Sequence, residues 1–169
     1  MKIKNPIKDM RTIKEILTSA EDAARRAGES QPGAEHLLLA ALEHPEGSAR
    51  RAFERVGADP DAFGAAVAEQ HVGALRTLGI EPPPEETLAP PPEAKPSRWY
   101  RANASLQSAF KRAGELARDD GTWLKGAHVV AAVAGMEHGS AARALRAMGV
   151  DREALAAAAA AEARAAPPR

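Results

Sequence analysis

An internal repeat constrains the fold of this 169-residue chain more than any other feature. Residues 36–59, HLLLAALEHPEGSARRAFERVGAD, align without a gap with residues 128–151, HVVAAVAGMEHGSAARALRAMGVD, and nine of the 24 positions are identical. Alanine contributes to that count, but the histidine, the glycines, the serine and the aspartate also recur. A segment used twice predicts two copies of one structural unit.

The first half of each copy predicts a capped helix followed by a buried one. The first helix is expected to end at Gly28 and, in the second copy, at Gly121, because glycine suits a helix C-terminal cap. The next helix starts near His36 or His128 and contains LLLAAL or VVAAVA. Neither stretch has a polar face for nearly two turns, and a helix that is apolar all round is a buried one.

The second half of each copy predicts two more helices. In copy one, Ser48 is expected to cap an amphipathic third helix, on which Phe53 faces inward. Asp59 is expected to cap the fourth helix, with Pro60 at its first position. Copy two repeats these positions as Ser140, Leu145 and Asp151. The fold class is therefore all-α, with two tandem pseudo-repeats of about four helices each.

Composition agrees with this fold and excludes several functions. Apolar residues make up 44% of the chain, but many are alanine, the strongest helix former, and aromatics are only 4%. The 23 basic and 23 acidic residues balance, so no field favours nucleic acid or anionic lipid. The cluster Arg50, Arg51 and Arg55 is interrupted by Glu54 and is interpreted as a solvated helix face. Without cysteine or a membrane-length apolar run, we expect a cytoplasmic protein.

The repeats divide the chain into five segments. Residues 1–8 are predicted to be an N-terminal extension, 9–80 the first repeat, 99–166 the second repeat with an alanine-rich C-terminal helix, and 167–169 a tail. Between the repeats, residues 81–98 are predicted to form an extended proline-rich linker, since seven prolines fall within residues 81–97.

The pair Glu35-His36, at the start of the apolar helix, is the candidate for chemistry. Glu35 is either an acid that faces the positive end of the helix dipole or a carboxylate that binds a guanidinium in a forked geometry. His36 and His128 are interpreted as structural, with ring nitrogens bonded to nearby backbone. His36 and His44 lie about 12 Å apart along one helix, too far for one tetrahedral ion, so no metal or other cofactor is predicted. No serine elbow or nucleotide fingerprint occurs, so no enzymatic activity is expected.

The repeats resemble the Clp N-terminal (Clp repeat) domain, the substrate- and adaptor-binding domain of ClpC- and ClpA-type AAA+ unfoldases. The resemblance covers roughly residues 10–80 and 100–158. It rests on GAEHLLLAALEHPEGSARRAFERVGAD in copy one and ARALRAMGVD in copy two. These 169 residues contain no G-x-x-x-x-G-K-[ST] phosphate loop, so they resemble the N-domain standing alone, without ATPase modules.

The resemblance implies a non-catalytic, protein- or peptide-binding role in chaperone-assisted proteolysis, as an adaptor for or a decoy of a Clp unfoldase–protease. Implied partners are substrate proteins, adaptors, the unfoldase itself or cyclic-peptide antibiotics, and neither nucleic acid nor membrane. In the ClpC branch, the acid of a G-T-E-H motif in each repeat helps to bind phosphoarginine. Glu35 matches that acid, with Ala34 in place of threonine, whereas Ala127 falls at the acid position of a degenerate second site. A structural or self-associating module without a Clp link, or a helical nucleic-acid-binding module, remains the alternative.

Overall fold

The computed structural model describes residues 6–80 and 102–165, which form eight α-helices, as expected of an all-α fold. The predicted linker, residues 81–98, and the predicted tail, residues 167–169, both lie outside the described residues. The first helix begins at Pro6, inside the segment assigned to the N-terminal extension. The helices are α1 Pro6–Arg26, α2 Ala34–Glu43, α3 Ser48–Arg55, α4 Ala62–Thr77, α5 Ala104–Asp119, α6 Gly126–Ala134, α7 Ser140–Ala147 and α8 Arg152–Arg164.

The glycine and aspartate signals mark most helix ends correctly. Gly28 and Gly121 follow the ends of α1 and α5 with φ of 76° and 64°, a left-handed conformation that glycine adopts without a steric penalty. Asp151 caps α8 as predicted, since its side chain accepts hydrogen bonds from the N–H groups of Glu153 and Ala154. Helices α1 and α5 therefore both end where the sequence predicts.

Three predicted caps are wrong. Ser48 is the first residue of α3, and its hydroxyl does not cap that helix; it accepts a hydrogen bond from the Ala127 N–H of α6 at 2.9 Å instead. Ser140 likewise begins α7 without a side-chain cap. Asp59 does not cap α4, because a tight turn lies between this residue and the helix. In that turn the Ala62 N–H donates to the Asp59 carbonyl, so α4 begins later than predicted.

The two apolar helices lie at the centre of the molecule. Leu37 and Leu38 of α2 and Val129 and Val130 of α6 are fully buried, and α2 packs directly against α6. On the third helices, Phe53 and Leu145 are also fully inaccessible, as their repeat positions predict. Buried residues of both repeats form one continuous hydrophobic core.

The fourth helix of each repeat packs against the third helix of the other repeat. α4 lies on α7, and α8 lies on α3. An ion cluster joins the second of these pairs: Glu162 of α8 accepts a hydrogen bond from Arg51 Nε at 2.9 Å and from Arg55 Nε at 2.5 Å. The face that carries these arginines is solvated, as interpreted, but Arg51 and Arg55 also bind Glu162. The sequence alone does not show this contact, because the packing of α8 brings the carboxylate to α3. Arg50 instead pairs with Asp61 at 2.7 Å.

Across residues 6–80 and 102–165, each helix is too short or too polar to traverse a lipid bilayer.

Candidate functional site at the start of helix α2

The starts of α2 and α6 are structurally equivalent. Gly33 is the N-cap of α2 and Lys125 is the N-cap of α6, and in each helix the histidine is the third residue. Counting from these caps places Glu35 of α2 and Ala127 of α6 at the same position. At this position the two repeats therefore have equivalent backbones but different side chains, a carboxylate in the first repeat and a methyl group in the second.

Both histidines bond to the backbone of their own N-cap. The Gly33 N–H donates to His36 Nδ1 at 3.0 Å, and the Lys125 N–H donates to His128 Nδ1 at 2.9 Å. Since Nδ1 accepts in each ring, the neutral imidazole carries its proton on Nε2. Burial lowers the pKa of both histidines, despite the opposing charges of nearby carboxylates, so the neutral form is favoured. Each ring thus fixes the first turn of a central helix.

The Glu35 side chain folds back over the N-cap of its own helix. The side chain is only 7% exposed, and its Oε1 lies 3.8 Å from His36 Nδ1. A β-carbon at Gly33 would lie 2.6 and 2.8 Å from the two carboxylate oxygens, so any larger residue there would displace the carboxylate. The Ala34 N–H donates to Ser105 Oγ at 3.0 Å, which ties this turn to α5 of the second repeat.

The corresponding turn of the second repeat is filled by the chain's own side chains. Glu46, from the loop before α3, accepts a hydrogen bond from the Gly126 N–H at 3.2 Å. Ser48 accepts from the Ala127 N–H, as described above. The Lys125 ammonium, on the other side, donates to the carbonyls of Ala163 and Ala165 at the end of α8. Glu46 therefore supplies, from the first repeat, the carboxylate that position 127 lacks.

Two further residues join Glu35 that the sequence analysis missed. Glu29, just after the cap of α1, and His71, on α4, each place a donor atom within 4.8 Å of the Glu35 carboxylate and of one another. Neither lies in the aligned segments 36–59 and 128–151. In the second repeat, Thr122 follows Gly121 as Glu29 follows Gly28, and Ala163 corresponds to His71 at the offset of the aligned segments, so neither counterpart is ionisable. Among the described residues, no lysine or arginine forms an ion pair with either carboxylate.

Comparisons with known proteins agree with this architecture. Residues 11–122 match the family model of the Clp repeat (R) N-terminal domain. The chain is 45% identical over 47 residues, 28% of its length, to the chloroplastic chaperone protein ClpC of Pisum sativum. Those residues span only 5% of the pea protein.

Among solved structures, the chain is similar to the N-terminal domain of the caseinolytic protease-associated chaperone ClpD from Arabidopsis thaliana. The TM-score is 0.56 and the sequence identity 21%, and the match covers 88% of this chain and 92% of that one. At this identity the similarity concerns the fold alone. The family match extends over most of the chain, and its helices are arranged as in that domain. The chain belongs to the family of Clp repeat N-terminal domains.

Proposed function

We propose that this protein is a non-catalytic, protein- or peptide-binding partner of a Clp unfoldase–protease system in the cytoplasm. Membership of the Clp repeat family supports a binding role of this kind. The ligand is held at the start of α2 in the first repeat, and the group recognised there is an arginine side chain, phosphorylated in its marked form.

The observation that carries this proposal is the buried Glu35 carboxylate next to Glu29. Among the described residues, no lysine or arginine forms an ion pair with either acid, so the site is complementary to a cation. A guanidinium presents a planar fork of N–H donors that matches a carboxylate, and such charge-assisted bonds are short and strong. The positive end of the α2 dipole lies at the same place and favours a phosphoryl group.

Because Glu46 already fills the equivalent turn of α6 and Ala127 carries no charge there, the proposed binding is asymmetric. One arginine-bearing segment binds per chain. At the first repeat, ligand access requires the Glu35 side chain to swing away from Gly33, since the carboxylate is almost fully buried.

The test measures the affinity of a phosphoarginine peptide, and of the same peptide with unmodified arginine, by calorimetry. We expect 1:1 binding, weakened about 10- to 100-fold in Glu35→Gln, which corresponds to the loss of hydrogen bonds between charged groups. Glu43→Gln is the matched control, because Glu43 is an exposed acid at the other end of α2. Equal binding by the wild type and both variants would end the phosphoarginine proposal.

A second experiment distinguishes the two roles within a Clp system. In a reconstituted unfoldase–protease reaction, an adaptor speeds degradation of a marked substrate. A decoy that competes for substrates or adaptors slows this degradation, and a decoy that binds cyclic-peptide antibiotics relieves their inhibition of the unfoldase. The Glu35→Gln variant should lose either effect. A degradation rate that does not respond to the protein in any of these assays would exclude both roles.

A further inference from the structure

The group formed by Glu29, Glu35 and His71 has the composition of a metal-binding site, and this inference does not depend on the proposed function. The residues come from three different elements: the turn after α1, the first turn of α2, and the middle of α4. Their three donor atoms lie within 4.8 Å of one another. Two carboxylates and an imidazole are oxygen and nitrogen ligands of the kind that divalent transition metals prefer.

The possible metal-ligand atoms lie close together but form no hydrogen bonds with one another. Glu29 Oε1 lies 2.9 Å from His71 Nδ1, close enough for an ion pair when the imidazole is protonated, but the buried oxygen accepts no hydrogen bond from the described residues. The other ring nitrogen, His71 Nε2, is also buried and unpaired within that part of the chain. A buried polar atom without a partner costs about 1–3 kcal/mol, so a fold that keeps several together in one place calls for an explanation.

Burial gives an independent indication. The Glu35 side chain is more than nine-tenths buried, and no described residue donates a hydrogen bond to its carboxylate. Burial of an ionised carboxylate is costly unless a cation compensates it.

We propose that Glu29, Glu35 and His71 bind one divalent transition metal ion of the zinc type. Zinc bonds to nitrogen and oxygen at about 2.0–2.1 Å, so tetrahedral ligand atoms lie about 3.3 Å apart. The separations in this group run from 2.9 Å to at most 4.8 Å, so small rotations of the side chains would bring the three atoms to that distance. Three protein ligands leave a fourth position open to water or to an acidic group of a bound partner.

The test is a titration of the full, untagged protein with Zn²⁺ by calorimetry and with Co²⁺ by visible absorption, without any peptide present. We expect one equivalent to bind, with a tetrahedral Co²⁺ spectrum. His71→Ala and Glu35→Gln should each weaken binding by about tenfold or more, since even outer-shell partners of a metal cost 10- to 100-fold. His138→Ala is the control, because His138 is an exposed histidine outside the group.

Two results would overturn the proposal. One is wild-type protein that binds no zinc at micromolar concentrations, and the other is wild-type affinity in both His71→Ala and Glu35→Gln. Thermal unfolding of each variant shows whether it is folded, and the near-isosteric Glu35→Gln decides the question if His71→Ala is not. Because this titration contains no peptide, a failure to bind metal would not count against phosphoarginine recognition, which is tested separately with the peptides.

Discussion

The ion cluster of Glu162 with Arg51 and Arg55 allows a quantitative test of how the two repeats are joined. The Glu162 side chain is 6% exposed, whereas its partners are 33% and 51% exposed. Removing one partner of a fully buried pair costs about 3–5 kcal/mol, and an exposed pair contributes about 0.2–1 kcal/mol. Water reaches both arginines here, so we expect Glu162→Gln to lower the free energy of unfolding by an intermediate amount, about 2 kcal/mol.

The assay is urea unfolding at pH 7, together with thermal unfolding. For a chain of this size about 2 kcal/mol corresponds to a Tm lower by about 4–8 °C. Glu43→Gln is again the control, because Glu43 is 58% exposed and 3.7 Å from its arginine partner. If Glu162→Gln and Glu43→Gln differ by less than about 0.5 kcal/mol, the argument that α8 is held to α3 by this cluster is refuted.

The same variant makes a prediction about pH. Burial alone would raise the pKa of Glu162, but the hydrogen bonds from Arg51 and Arg55 outweigh it, and the pKa is lowered. A carboxylate whose pKa is lower in the folded state stabilises the protein fully above its unfolded-state pKa and loses that contribution as the pH falls. Glutamine does not titrate. The difference in stability between wild type and Glu162→Gln should therefore shrink as the pH falls below about 4.5.

Three further outcomes follow from the packing. Gly126→Ala should lower the free energy of unfolding in urea by about 1–3 kcal/mol, because the new β-carbon would lie 3.0 Å from Ala49 Cβ. Gly64→Ala should be neutral or stabilise α4, because its β-carbon would make ordinary contact at 3.6 Å. The same sign for both substitutions would be inconsistent with the packing described. Burial lowers the pKa of His128, so the stability of the wild type should decline as the pH falls below about 6.5. The stability of His128→Gln should decline less steeply than that of the control, His138→Gln. Asp151→Ala should lower the unfolding free energy by about 1 kcal/mol, and an unchanged urea midpoint would show that this cap is not needed.

The local features of the fold could be predicted from the sequence because they depend on neighbours in the chain. Gly121 ends its helix through its own backbone freedom, Asp151 caps through residues two and three positions on, and the LLLAAL run of α2 is buried because it has no polar face. One wrong prediction concerns a partner that is distant in sequence. Ser48 does not cap its own helix, because its hydroxyl oxygen accepts a hydrogen bond from the N–H of Ala127, far along the chain.

The candidate site shows the same division. The difference between Glu35 and Ala127 is visible from the repeat alone, since a fixed offset pairs the two positions. The role of Glu46 at α6 was not predictable, because it depends on the loop before α3 reaching the other repeat. Glu29 and His71 were missed because only the docking of α1, α2 and α4 brings them together, and nothing in their spacing indicates it.

The exchange of α4 and α8 between the repeats has an evolutionary and a physical meaning. It is the arrangement of an isologous homodimer, in which each half offers the same surfaces to the other, here joined into a single polypeptide. The covalent connection turns an association that would depend on concentration into an intramolecular one. A chain carrying one repeat alone would lose the packing of its third and fourth helices on those of the other repeat, and would regain it only by pairing with a second copy, although α8 would keep its packing on α6. Once both halves are on one chain, they are free to diverge, and the first turns of α2 and α6 now carry different residues, Glu35 and Ala127.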